Sequence, residues 1–125
     1  MPVIFPQFAD RGPLPKHGFA RSVAWTYAGA TQDAHGVTAR FMLATSPATL
    51  AIWPHAFAAT LSVGIGGQSL TLTLAVENRD AKPFAFTAAL HTYVAVGDIA
   101  RTAVTGLAGL RYADSAAGGT PAIDQ

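Results

Sequence analysis

The chain has 125 residues, half of them hydrophobic and 12% charged, a composition that collapses around a core instead of remaining an unfolded tail. A net charge of +1 with the histidines neutral excludes the broad field that draws in nucleic acid or an anionic membrane, so an anionic ligand must be held by a few placed cations. There is no cysteine, which excludes a disulfide framework and thiolate metal sites.

The length predicts a single domain over residues 1–125. Its first twenty residues hold Pro2, Pro6, Pro13, Pro15, Gly12 and Gly18. Proline fixes φ and lacks an N–H, so residues 1–20 are expected to form an irregular but ordered loop, pinned to a core by Val3, Ile4, Phe5 and Phe8. No basic region precedes this apolar start, so it does not read as a signal peptide. No apolar run approaches the roughly 20 residues that span a bilayer. The expectation is a cytoplasmic protein with neither membrane nor nucleic acid as partner.

Residues 21–112 read as strands. Val37, Ala39, Phe41 and Leu43 alternate with Thr38, Arg40, Met42 and Ala44. Phe57 to Ile65 and Leu70 to Val76 repeat the same period of two, which marks strands with one buried face. These two runs flank Gly66-Gly67, a dipeptide able to supply the positive φ of a tight turn, so Phe57–Val76 is expected to be a β-hairpin. Between them and the first run, Ser46 can cap a single helical turn to Trp53, with Pro47 at its first position. Asn78 to Pro83 is a polar turn. Further strands are expected over Phe84–Val96 and Thr102–Tyr112, and residues 115–125, with Gly118, Gly119 and Pro121, as a disordered tail. About six strands with almost no helix predict an all-β fold. An antiparallel sheet with one apolar face needs a second layer, which makes a β-sandwich the expected architecture.

Four histidines are the first candidates for chemistry. From Phe84 onward, one face carries Phe84, Phe86, Ala88, Leu90, Thr92 and Val94, and the other carries Ala85, Thr87, Ala89, His91 and Tyr93. The bulky face should meet the core, and the small one could floor a ligand cleft ending at His91 and Tyr93. The same pattern fits a solvent-facing strand bearing a chance histidine. Arg21, four residues after His17 in a glycine-containing loop, could grip a phosphate through its planar fork of donors, with Lys16 as a second cation. From composition alone a surface arginine paired with a carboxylate is the better fit. His35 and His55 lie in a polar turn and after Trp53-Pro54. Gly64 to Gly67 joins two strands and opens no helix, so it is not a nucleotide-phosphate loop. The histidines are too scattered for a zinc motif. Glu77 is the only glutamate, so paired-carboxylate chemistry has few members to draw on.

Taken together, several phrases resemble one family. They are Pro2-Val3-Ile4-Phe5-Pro6-Gln7-Phe8, Leu14-Pro15-Lys16-His17-Gly18-Phe19-Ala20-Arg21 with Trp25 after it, Trp53-Pro54-His55-Ala56-Phe57, Val76-Glu77-Asn78, Leu90-His91-Thr92-Tyr93, Asp98-Ile99, Gly106-Leu107-Ala108-Gly109 and Tyr112-Ala113-Asp114. In this order they are similar to the middle of the hexose-6-phosphate mutarotases of the aldose 1-epimerase superfamily. The resemblance implies a galactose-mutarotase-like antiparallel β-sandwich, here incomplete. It implies an isomerase that interconverts the α and β anomers of a hexose 6-phosphate by acid/base ring opening, with no metal or cofactor. By resemblance His91 is the acid, Arg21 binds the substrate phosphate, and His17 and Lys16 line the site. Lys16 stands where relatives often have glutamine, and Val94 where an aromatic residue is usual. Family members are considerably longer. The resemblance places an upstream phosphate-binding arginine and the base glutamate outside this sequence, and Glu77 lies in a different motif. Weak or no activity is therefore expected of this chain. A non-catalytic carbohydrate or sugar-phosphate binding domain is the alternative. Strands left without neighbours should favour self-association.

Overall fold

Pro2 and Pro6 bracket the first strand. Neither can donate a ladder hydrogen bond, and in the computed structural model β1 is confined to Val3–Ile4. It pairs antiparallel with β6, Ala89–Leu90, through Val3↔Leu90 and Ile4↔Ala89. The proline carbonyls extend this contact on both sides. The His91 N–H donates to Pro2 O (3.0 Å) and the Thr87 N–H to Pro6 O (3.0 Å), while the Phe8 N–H donates to Thr87 Oγ1 (2.7 Å). The peptide bond between Phe5 and Pro6 is cis.

The structure describes residues 1–114 and 118–123. They fall into two compact units, Met1–Thr92 and Tyr93–Gln125. In the first, β2 (Thr26–Asp33), β3 (Gly36–Ala44), β4 (Phe57–Gly66) and β5 (Ser69–Asn78) form an antiparallel meander in chain order. Asp33 turns β2 into β3 by accepting the N–H groups of His35 and Gly36 on Oδ1 (2.7 and 3.1 Å). The hairpin of β4 and β5 runs in unbroken register from Phe57↔Asn78 to Gly66↔Ser69, and Gly67 in its turn adopts φ of 56°. Between β3 and β4, α1 (Pro47–Ile52) starts at Ser46 with a capping box closed by Thr49.

Alternation places Leu43, Phe57, Ala59, Leu61, Leu74 and Val76 on one face of this sheet, where they join the apolar cluster. That face is covered by Val3, Phe5, Phe19, Ala20 and Trp53. Phe5 is fully buried, its ring 5.4 Å from Trp53, 5.3 Å from Phe57 and 5.2 Å from Phe86. Burial of such a side chain contributes about 1.5–3 kcal/mol, and truncating it to alanine would cost about 3–5 kcal/mol. The second layer over the sheet is thus the N-terminal loop with its two-residue strand pair. Beyond its reach the cross-strand row Val37, Ile65 and Leu70 stays exposed, at 42%, 62% and 63%.

The loop is ordered by a buried polar clamp. Gln7 donates from Nε2 to Leu14 O (2.9 Å) and Ala9 O (3.2 Å), and accepts the Leu14 N–H on Oε1 (3.0 Å). At the far side of the core, His55 packs its ring on Trp53 and Phe84 (centroids 4.9 and 5.3 Å) and holds Asp80 at 3.3 Å.

Four expectations change. The strand expected over Phe84–Val96 is paired only at Ala89–Leu90, because its one neighbour, β1, ends at the prolines. Thr92 and Val94, expected in the core, are exposed. In the second unit a 3₁₀ turn occupies Ile99–Arg101, and the strand expected over Thr102–Tyr112 is reduced to β7 (Arg111–Asp114). The expected tail contributes β8 (Thr120–Ile123), paired with β7; its residues 115–117 and 124–125 lie outside the described residues. No helix among the described residues is long and apolar enough to cross a membrane.

Candidate active site

Two consecutive left-handed residues build the site. His17 has φ of 69° and Gly18 φ of 66°. Histidine is among the few side chains enriched in this region, but at Gly18 only glycine fits, since a Cβ would run into the Phe5 carbonyl. The reversal returns the chain to the core. Phe19 and Ala20 both donate their N–H to Phe5 O (3.1 Å each), Gly18 donates to Pro15 O (2.8 Å), and Trp25 Nε1 donates to Ala20 O (2.8 Å). Lys16, His17 and Arg21 are therefore anchored to the strand whose partner leads into His91.

The imidazoles of His17 and His91 meet edge to face, with centroids 6.2 Å apart and planes at 87°. Both rings are half-buried. Phe8 closes the other side of His17, its ring centroid at 5.7 Å. The Ala9 N–H donates to His17 Nδ1 (3.2 Å), and the His17 N–H returns a bond to Ala9 O (3.1 Å).

The electrostatics converge on His17. Its pKa is held below the ordinary histidine value first by partial burial, then by the charges of Arg21 and Lys16 and by His91; Asp10 opposes them. Lys16 Nζ pairs with Asp10 Oδ2 at 3.4 Å, both well exposed. Arg21 is exposed and lines an otherwise apolar groove of ≈ 530 Å³ with Pro2, Val3, Val23, Trp25, Phe41 and Leu61. That volume lies in the range of small-molecule sites. Pro2 joins the two parts: it lines the groove and its carbonyl binds the His91 amide.

His17 and His91 are thus brought into contact, and the charges of Lys16 and Arg21 act on His17. Tyr93 is 77% exposed and belongs to the second unit. His35 sits in the turn between β2 and β3, and His55 pairs with Asp80. Glu77 pairs with Arg79 (2.8 Å). Because Val76 packs on the core, Glu77 points to the opposite face of the sheet. Among the described residues no group of three or more His, Asp or Glu is gathered as metal ligands would be. A second concavity, at the far end of the sheet, is lined by Asp33, His35 and the hydroxyls of Thr38, Ser62, Thr71 and Thr73, and shares no residue with this site. Sequence reasoning missed Ala9 and Asp10, which fix His17 and Lys16; neither carries a signal of its own. It also missed Gln7, marked only by being the one amide in an apolar run.

A family model described as aldose 1-epimerase matches residues 1–122. The chain is 40% identical over 117 residues to a protein of Escherichia coli (strain K12) named "Putative glucose-6-phosphate 1-epimerase", covering 91% of this chain and 37% of that protein. A protein of the same name from Cenchrus ciliaris is 35% identical over 123 residues, covering 92% and 37%. Among solved structures, a crystal structure titled as a "putative mutarotase (YeaD)" from Salmonella typhimurium superposes with a TM-score of 0.82 at 33% identity, over 97% of this chain and 40% of that one. The chain therefore spans well under half the length of these relatives.

Proposed function

Because this chain belongs to the aldose 1-epimerase family, we propose that it carries the acid and phosphate-binding half of a site that interconverts the α and β anomers of a hexose 6-phosphate. The observation that supports this best is the convergence of His91, Arg21 and Lys16 on His17. Anomer exchange removes the proton from the anomeric hydroxyl and protonates the ring oxygen. The C1–O5 bond breaks, the C1–C2 bond of the open chain rotates, and closure from the other side of the carbonyl gives the other anomer. His91 supplies the proton to the ring oxygen, a task suited to a side chain with an ordinary pKa of about 6.5. Arg21 holds the phosphate, with Lys16 adding charge. Carbohydrate is thus the ligand class, and a cytoplasmic location suits a phosphorylated sugar.

The test is a coupled assay of α-to-β glucose 6-phosphate conversion with the chain and its His91→Ala variant. A rate above the spontaneous one that disappears in the variant supports the proposal. The spontaneous rate in both counts against catalysis by this polypeptide.

Glu77 favours a second reading. The only glutamate in the sequence is ion-paired with Arg79 on the outer face of the sheet, so Glu77 is not placed as the base. An acid or a base each contributes roughly 10²–10⁴-fold, so without a base contribution from Glu77 the site would bind a sugar phosphate with less turnover. Calorimetric binding of glucose 6-phosphate without turnover supports this reading. We also propose that copies of the chain associate through the open edges of β2 and β5 and the exposed row Val37, Ile65 and Leu70.

A further inference from the structure

The two edge-to-face histidines are not chemically equivalent. We propose that His17 is locked as the neutral Nε2–H tautomer by the Ala9 amide, making it a fixed hydrogen-bond donor of the site and leaving proton transfer to His91. The division of labour between the two rings rests on the mutarotase reading above; the tautomer rests on local geometry alone.

In neutral imidazole one nitrogen donates and the other accepts, and the bond made by one nitrogen decides the state of the other. The Ala9 N–H points at His17 Nδ1 from 3.2 Å, so Nδ1 must keep its lone pair and the proton must sit on Nε2. Rotating the ring by half a turn would put a carbon against that amide and remove its acceptor. The ring has little freedom to do otherwise. His17 is also held through its own N–H to Ala9 O, its backbone is left-handed, and its faces and edges meet Phe8 and His91. Charging the ring would set two N–H groups against each other at Ala9 and add a cation beside Arg21 and Lys16. Asp10 is the one opposing group, and it is already paired with Lys16. His91 is the remaining titratable neighbour, its ring edge to face with that of His17.

Long-range proton–nitrogen NMR of the intact chain at pH 7.5 tests this directly. The expected result is a His17 ring with a protonated Nε2 and a bare Nδ1, titrating below the ordinary value of about 6.5. A protonated Nδ1, or a ring charged at neutral pH, overturns the proposal. Two variants separate the donor from the fold. His17→Asn tolerates positive φ and can still accept the Ala9 amide, but has no group in place of Nε2–H. His17→Gln keeps a donor at that reach. Glucose 6-phosphate binding should fall about tenfold in His17→Asn, the loss of one hydrogen bond to an anionic or polar ligand, and recover in part in His17→Gln. Equal binding by His17→Asn and the parent overturns the donor role. Absence of glucose 6-phosphate binding by the parent chain would sink the mutarotase reading while the NMR result still decides the tautomer.

Discussion

The ring of His17 stands at 87° to that of His91, with 6.2 Å between their centroids, although one belongs to a proline-rich loop and the other follows a two-residue strand. What brings them together is backbone. Phe5 binds the amides that follow Gly18, and Pro2, three residues before Phe5, binds the amide of His91. The N-terminal segment is thus a spacer that sets the distance between the two halves of the site.

It follows that Gly18 is the residue on which site geometry is most sensitive. Gly18→Ala would hold an alanine at a positive φ and drive its Cβ into the Phe5 carbonyl. Urea denaturation should show a loss of more than about 2 kcal/mol, or no folded protein. Gly67→Ala, at φ of 56° with nothing near its added carbon, should lose only about 1 kcal/mol. Equal losses at the two positions would refute a steric role for Gly18.

A second prediction concerns acid. The hydrogen bond from His55 is the main cause that lowers the pKa of Asp80 from its ordinary 3.8, with help from the amide of Ala81 and against some desolvation. A carboxyl depressed in the folded state contributes stability that is fully present above its unfolded value and is lost as pH falls through the folded one. Denaturation midpoints should therefore fall below about pH 4, and Asp80→Asn should flatten that part of the curve. Parallel curves for the two proteins would show that the pair plays no part in acid stability.

Much of this was legible in the sequence because it is local. The hairpin of β4 and β5 alternates residue by residue, its turn needs a glycine, and Ser46-Pro47 can only begin a helix in one way. β2 was not legible, since Thr26-Tyr27-Ala28-Gly29-Ala30 has no alternation and lies almost wholly exposed at the sheet edge. Phe84–Val96 alternates well, yet a strand needs a neighbour, and β1 offers only Val3 and Ile4. Of the site, Arg21, His17 and His91 could be picked out as residue types in a recognisable order. Their closeness, and the Ala9 amide that fixes His17, arise only from tertiary packing.

The exposed row of Val37, Ile65 and Leu70 leads to a third prediction. Sedimentation of the chain should be concentration-dependent, and the double variant Ile65→Thr with Leu70→Thr, which keeps β-favouring side chains, should shift it toward monomer. A parent chain that stays monomeric and melts reversibly at high concentration would contradict the proposed association.

The most direct measurement is a titration of glucose 6-phosphate into the isotopically labelled chain, following the imidazoles of His17 and His91 together. The account predicts that both rings shift along one saturation curve, that unphosphorylated glucose moves them far less, and that Arg21→Ala weakens the phosphate ester at least about tenfold. Histidine signals that stay still at saturating ligand, or that respond only at His35 beside the far concavity, would contradict it.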